Sequence, residues 1–319
     1  MTVSVSPYAA NLDALSNSLA QTRHRMTIGL RPLTPSEWIV DLADGPAQLV
    51  EKQQLLNQHT DVVATLPESS AAQQELLALV VTHVLTHFPT HYSLTKSPLN
   101  QLLDGAVHNQ DCMHIAPPGI DVALAESGVP PIVTAARLVP EDLLLMHADE
   151  QGVYRLEAAA LCFPTRWHLA DKIGQPMDVI HAPVPGYQQQ LGQATDRTLS
   201  ALRVDRPVWR HNWALVDSRE LYQPTRIPLP RPLTPDQLGD GLWLRTERQT
   251  LRRLPQSGRI VFGIRIIQAT LADVCSRPAL AVNLLEQLRT MAPALRGYKQ
   301  LHSVQADLED YIKATLAAH

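Results

Sequence analysis

Cysteine is scarce: Cys112, Cys162 and Cys275 stand far apart and are odd in number. They build neither a disulfide framework nor a metal knuckle and are too few for an iron–sulfur cluster, so a reducing, cytoplasmic setting is expected. No apolar run reaches the ~18 residues of a membrane span. The N-terminus, MTVSVSPYAANLDALS, has no basic stretch leading into an apolar one, so no signal peptide is expected. No GxGxxG follows a strand pattern, and neither a Walker loop nor a GxSxG elbow occurs, which leaves no recognisable nucleotide site. A redox enzyme built on such a chain would take its electrons from another protein. Internal repeats and low-complexity tracts are also missing.

What is present is a globular composition. The 319 residues are 45% hydrophobic and 18% charged, enough for one large domain or two intimate ones. A net charge of −4 points to no nucleic acid or membrane surface as partner. The charge is uneven, however. Residues 1–150 hold 6 Lys and Arg against 16 Asp and Glu, whereas residues 203–265 hold 12 Arg against 6 Asp and Glu. A basic region in an acidic chain fits either a bound anion or arginines paired with the acidic half.

The pattern along the chain predicts an α+β fold. Residues 1–33 read as an irregular arm, and Thr34-Pro35-Ser36-Glu37 as a capped helix start. Helices are expected over Ala47–Leu56, Ser70–Phe88, Trp167–Ile173, Leu191–Leu202, Pro278–Met291 and Val304–Ala318, the last with Ser303 as N-cap. Leu143–Ala148 and Val153–Phe163 read as a hairpin, Val208–Asp217 as a strand, and the five-proline stretch Pro224–Pro235 as an extended connector. This gives a mainly helical part over residues 1–140, a sheet-rich core over 141–270 and helices over 271–319, integrated as one unit.

The run from Gly241 to Ala269 carries the strongest signal. Its first half sets one carboxylate, Glu247, among arginines; its second half is almost wholly apolar. At period two, Trp243, Arg245, Glu247, Gln249, Leu251 and Arg253 share a face, and Thr246, Arg248, Thr250 and Arg252 share the other. Such a pair of strands suits a sheet that lines a polar or anionic site. Among the histidines, His83, His87 and His91 have metal-like spacing, but Pro89 interrupts their helix and no carboxylate completes a set, so they read as ordinary helix-end residues. His181 follows Val179-Ile180 and precedes Ala182-Pro183-Val184-Pro185-Gly186-Tyr187, a rigid frame of the kind an axial haem ligand needs. A lone histidine is as well a structural residue.

Five blocks taken together carry a resemblance: Met26-Thr-Ile-Gly-Leu-Arg-Pro-Leu, Ala160-Leu-Cys-Phe-Pro-Thr-Arg-Trp, Ile180-His-Ala-Pro-Val-Pro-Gly-Tyr, Pro207-Val-Trp-Arg-His-Asn-Trp and Leu244-Arg-Thr-Glu-Arg-Gln-Thr-Leu-Arg-Arg-Leu-Pro. The chain resembles the haem-dependent oxidative N-demethylases, alpha-subunit-like. The resemblance implies a PAS-like antiparallel sheet turned into an enzyme. Its implied activity is the O2-dependent demethylation of a small secondary amine such as dimethylamine, releasing formaldehyde. It also implies haem b and electrons from NADPH through separate flavin and iron–sulfur reductase subunits.

Carried over block by block, the resemblance makes His181 the ligand of the haem iron. Glu247 would orient the amine and manage its proton. Arg210 would pair with Glu247 and donate to oxygen at the iron. Arg245, Arg248, Arg252 and Arg253 become candidates for the haem propionates, of which strand alternation lets only about half face the haem. His211 should point away from Arg210's face and receives no role. A haem-based PAS-like gas or redox sensor without turnover is the rival reading, and it predicts a wholly apolar pocket.

Overall fold

The computed structural model describes residues 11–19, 28–97, 110–225 and 235–319. The first two residues of the Met26 block and most of the proline-rich connector fall outside them.

Along the chain the helices are α1 (Leu12–Ser18), α2 (Gly45–Gln58), α3 (Ser70–His87), α4 (Pro131–Leu138), α5 (Met177–Ile180), α6 (Gln193–Ala201), α7 (Pro235–Gly241), α8 (Leu271–Cys275), α9 (Pro278–Thr290), α10 (Pro293–Tyr298) and α11 (Gln305–Ala317). The strands are β1 (Arg31–Pro32), β2 (Val63–Thr65), β3 (Tyr92–Ser97), β4 (Gln110–Ile115), β5 (Ile120–Ala123), β6 (Asp142–Ala148), β7 (Tyr154–Ala160), β8 (Val208–Val216), β9 (Trp243–Arg253) and β10 (Ile260–Thr270). The main sheet has the order β1-β8-β9-β10-β6-β7-β2, all antiparallel; β3-β4-β5 form a second sheet. The fold is therefore a mixture of helices and antiparallel sheet.

The expected hairpins occur where turn residues demand them. β6 and β7 turn through Asp149–Gly152, whose glycine takes φ +79° while the Asp149 carboxylate accepts from the Val153 N–H. β9 and β10 turn at Gly258 and pair over their full length, from Trp243↔Thr270 to Arg253↔Ile260. Thr270 then closes a capping box with Asp273, so the strand passes directly into α8.

Several expectations need correction. Residues 11–19 are not an irregular arm: Leu12, Leu15 and Leu19 are buried against the C-terminal helices. Thr34 makes no side-chain cap, and Pro35–Glu37 form one 3-10 turn that feeds Trp38 and Ile39 into the core. Only Leu169–Asp171 of Trp167–Ile173 are helical, and a π-turn at Gln188–Gly192 precedes α6. The last helix is capped by Val304, not Ser303. The N-terminal part also holds the second sheet and supplies both edge strands of the first.

The two faces of the main sheet separate the core. Leu143, Leu145, Ala158, Ala160 and Val261 pack with α3 and α4. On the opposite face Leu144, Leu156 and Ile264 look toward the segment 161–180, while Met146, Leu251 and Ile260 look toward α6. The far ends of β8–β10 pack under α8–α11. Two ion pairs fix α2 against the sheet: Lys52 with Asp142 at 3.2 Å, both buried, and buried Arg265 with half-buried Asp44 at 2.5 Å. Asp142 also accepts the Cys162 and Phe163 N–H groups, so its charge is matched on several sides as burial requires.

Candidate functional site

A cavity of about 670 Å³ lies between one face of the main sheet, the segment 165–199 and the end of α10. Ligand and cofactor cavities span roughly 300–1,000 Å³. Its sheet wall follows from period-two alternation. The pairs Arg210↔Gln249 and Asn212↔Glu247 join β8 to β9, and Gln249↔Ile264 and Leu251↔Phe262 join β9 to β10. One end of that wall is thus polar, and the other, built from Leu144, Met146, Leu251, Phe262 and Ile264, is apolar.

His181 closes the opposite side. It caps the single turn of α5, and its Nδ1 lies 2.8 Å from the Met177 carbonyl. A carbonyl only accepts, so Nδ1 carries the proton and donates, leaving Nε2 as a lone pair. The ring stacks on Tyr187, with centroids 4.5 Å apart and planes 13° from parallel. Tyr187 is fixed in turn by its hydroxyl, which donates to Thr195 Oγ1 at 3.0 Å. Burial holds the imidazole below its usual pKa, with the Met177 bond opposing, which favours the uncharged ring. Metal-bound histidines are oriented in this way, by a carbonyl on the far nitrogen.

Glu247 is buried at 8% exposure and held by amides. Asn212 Nδ2 donates to its Oε2 at 3.3 Å and Gln249 Nε2 at 2.8 Å. Arg210 does not form the expected ion pair with it. The register sets Gln249 opposite Arg210 and Asn212 opposite Glu247, so the charged residues meet only diagonally. Arg210 Nε is buried without a hydrogen-bond partner. Burial lowers the Arg210 pKa, with the fields of Glu247 and Tyr187 opposing.

His181, Arg210 and Glu247 therefore line one cavity, but the four propionate candidates do not. Arg245 is 1% exposed, and its guanidinium donates to Thr165 Oγ1 and to the carbonyls of Phe163, Pro164, Glu220 and Leu221. Arg248 and Arg252 lie on the other face. Arg248 donates to the Glu37 and Trp38 carbonyls, and Arg252 stacks over Trp38 with 4.9 Å from its Cζ atom to the ring centroid. Arg253 donates to the Leu199, Ser200, Leu202 and Gly258 carbonyls and to Tyr154 Oη. Each works as a clamp for carbonyls or stacks on an aromatic ring, which a run of arginines in a sequence does not disclose. The cavity instead meets Arg31, Arg166 and Lys172.

The sequence reading also missed Lys299, at the C-cap of α10. Its ammonium donates to the Trp213 carbonyl and to Asn212 Oδ1 at 3.4 Å, which adds a second cation beside Glu247. Burial pushes its pKa down to about 8; Glu247 raises it and Arg210 lowers it further. No motif marks it: it is brought in by the docking of α10. The next residue, Gln300, and Arg166 across the cavity are the two non-glycine residues with left-handed backbone among those described (φ 58° and 64°). Arg166 Nη1 donates to Gln300 Oε1, and its Nη2 lies 3.5 Å from Asp217. Two strained residues tied together at a cavity rim accord with the clustering of strain at functional sites.

His83, buried against Trp38, is part of no metal cluster, and none of three or more ligands occurs among the described residues. His211 pairs in register with Arg248, yet it is among the residues that line the cavity. No described helix is long and apolar enough to cross a membrane. Residues 29–308 match the family model described as haem-dependent oxidative N-demethylase, alpha subunit-like.

Proposed function

Because the chain belongs to the haem-dependent oxidative N-demethylase, alpha subunit-like family, we propose that it is a haem b-dependent monooxygenase that demethylates a small secondary amine. The balanced reaction for the simplest case is (CH3)2NH + O2 + 2 electrons + 2 protons giving methylamine + HCHO + H2O. The carrying observation is that the bare Nε2 of His181 and the amide-held carboxylate of Glu247 belong to one cavity. We assign the haem to a PAS-like core over residues 141–270, with 1–140 and 271–319 packed around it. The electrons come from NADPH through separate flavin and iron–sulfur reductase proteins, since neither a nucleotide nor a cluster motif is present in the chain.

The residues fit the group. His181, held through Nδ1, would be the residue that binds the iron, and Leu144, Met146, Phe262 and Ile264 would offer the group an apolar wall. Arg31 and Lys172 are the cations we assign to propionates in place of the four arginines of the β9 run. Haem b, when bound, supplies the iron chemistry that reduces dioxygen and oxidises the methyl group. Glu247 binds the substrate ammonium through Oε1 while two amides hold Oε2 in place. When the hydroxymethylamine collapses, the hydroxyl loses a proton, the C–N bond breaks and the nitrogen gains a proton; Glu247 is the group that moves it. Arg210 places positive charge beside that event. The apolar wall keeps water away from the reacting methyl group.

A sensor without turnover has no use for a carboxylate, two amides and two cations in its pocket, and this cluster favours the enzyme. The test is spectroscopic. Protein produced with a haem supply should show a Soret band that shifts on addition of dimethylamine. His181→Ala should lose stoichiometric haem, and retained haem would remove His181 as ligand. Glu247→Gln should keep haem and lose formaldehyde formation by at least about a hundredfold, the scale of a general acid–base contribution. Undiminished turnover would remove Glu247 from the mechanism.

A further inference from the structure

Three groups in the polar end of the cavity have bonding capacity that the protein itself leaves open. Glu247 receives both amides on Oε2, and its Oε1 has no hydrogen-bond partner among the described residues. Lys299 directs two N–H groups to Trp213 O and Asn212 Oδ1 and lies 5.1 Å from the Trp213 ring centroid, which leaves one of its three N–H groups without a hydrogen-bond acceptor among the described residues. The Arg210 side chain has no hydrogen bond or ion pair among the described residues, with its Nε fully buried. A guanidinium is a fork that matches a carboxylate.

The placement of these groups is as informative as their number. Arg210 and Glu247 are diagonal neighbours on one sheet face, about 7–8 Å apart in backbone terms. Lys299 is bound to Asn212, the residue directly opposite Glu247. Two cations thus flank one anion in a buried space. A plain dialkylammonium ion would satisfy Glu247 and leave both cations unmatched. It would also add a third positive charge to a site screened from water, where unpaired charge is expensive. A ligand with an ammonium and a carboxylate close together satisfies all three groups.

We propose that the substrate is a zwitterionic N-methyl α-amino acid, with its ammonium on Glu247 Oε1 and its carboxylate on Arg210 and Lys299. This rests on the demethylase reading and names the substrate class for it. The single carbon between nitrogen and carboxylate keeps the two charges as close as diagonal neighbours of a sheet. In the reaction, the N-methyl amino acid zwitterion, O2, 2 electrons and 2 protons give the unmethylated amino acid zwitterion, formaldehyde and water. One methyl C–H bond, the methyl C–N bond and the O–O bond break; the C=O bond of formaldehyde, the two O–H bonds of water and one N–H bond form. One oxygen atom leaves in formaldehyde and the other as water, and the electrons come from the NADPH-linked reductase. Burial weakens the charged form of Lys299, pushing it down to about 8, and an incoming carboxylate would restore it.

The test compares N-methylglycine, dimethylamine and acetate as ligands of the haem-loaded protein, by calorimetry and by Soret difference spectra. N-methylglycine is expected to bind at least tenfold more tightly than dimethylamine. Arg210→Gln and Lys299→Met should each bring that ratio close to one. Equal or tighter binding of dimethylamine by the unaltered protein overturns the proposal without needing any variant. If dimethylamine then yields formaldehyde, the demethylase reading survives alone. The converse is equally distinct: the N-methylglycine preference intact, but no formaldehyde from either amine with reduced haem present. That outcome keeps the ligand assignment and removes the reaction.

Discussion

Replacing Arg245 by Met should unfold the protein more readily without emptying the haem site directly. The guanidinium is buried at 1% exposure and joins two loops to β9, through Phe163, Pro164 and Thr165 on one side and Glu220 and Leu221 on the other. A hydrogen bond to a charged group contributes roughly 1.5–3 kcal/mol. Five such bonds would sum to as much as the whole ~5–15 kcal/mol of a domain's stability, so simple addition fails. Losses from breaking one buried charged network gather near 3–5 kcal/mol, and about 4 kcal/mol is the reasonable figure here. For a chain of this size each kcal/mol lowers Tm by about 2 °C, giving a fall of roughly 8 °C. Arg245→Lys should recover little, because an ammonium cannot address carbonyls from both loops. Thermal melts followed by circular dichroism, with haem content measured well below Tm, provide the check. A Tm within about 2 °C of the parent together with loss of haem would refute the reasoning and return Arg245 to the cofactor.

Two further substitutions test buried polar groups. His83 is pushed down to about 4 by burial, then by His87 and Arg252, from the ordinary histidine value of 6.5. Between those values the unfolded chain holds a proton that the folded one lacks. Stability therefore falls as pH drops from 6.5 toward 4, by about 3 kcal/mol at most. Urea titrations at several pH values should show this slope flattened in His83→Leu; an unchanged slope would count against a buried neutral imidazole. Thr250 Oγ1 is buried with no hydrogen-bond partner, so Thr250→Val should be neutral or gain about 1 kcal/mol, and a clear loss would mean the hydroxyl has a partner.

The parts of the fold written in local chemistry were legible from the sequence. The β9–β10 hairpin could be read because alternation and a Pro–Gln–Ser–Gly turn act over a few residues. Its faces fell as period two requires, with Glu247, Gln249 and Leu251 on the cavity and Arg248 and Arg252 away from it. Long-range contacts were not legible. Arg245 shares the face of Glu247 yet spends its charge on loops some 25 and 80 residues away. Helix α1 is a short stretch whose leucines gain meaning only against α8–α11. The second sheet was hidden because β3 and β4 are short and mix polar with apolar residues. Lys299 lies in an unremarkable Gly–Tyr–Lys–Gln stretch, and only the docking of α10 carries it to Asn212.

The clasp between Arg166 and Gln300 bears on how such a protein is made. Sheet, histidine turn and carboxylate all precede residue 271 in the chain, whereas the last cation and the clasp arrive with residues 299 and 300. During synthesis the chamber is therefore walled before it is shut. The proposed haem would then meet a half-open wall, with the segment after α10 closing the rim through the Arg166–Gln300 clasp. Damage to α10 would accordingly be expected to show first at the cavity rim, as loss of the proposed group, and only later in the fold.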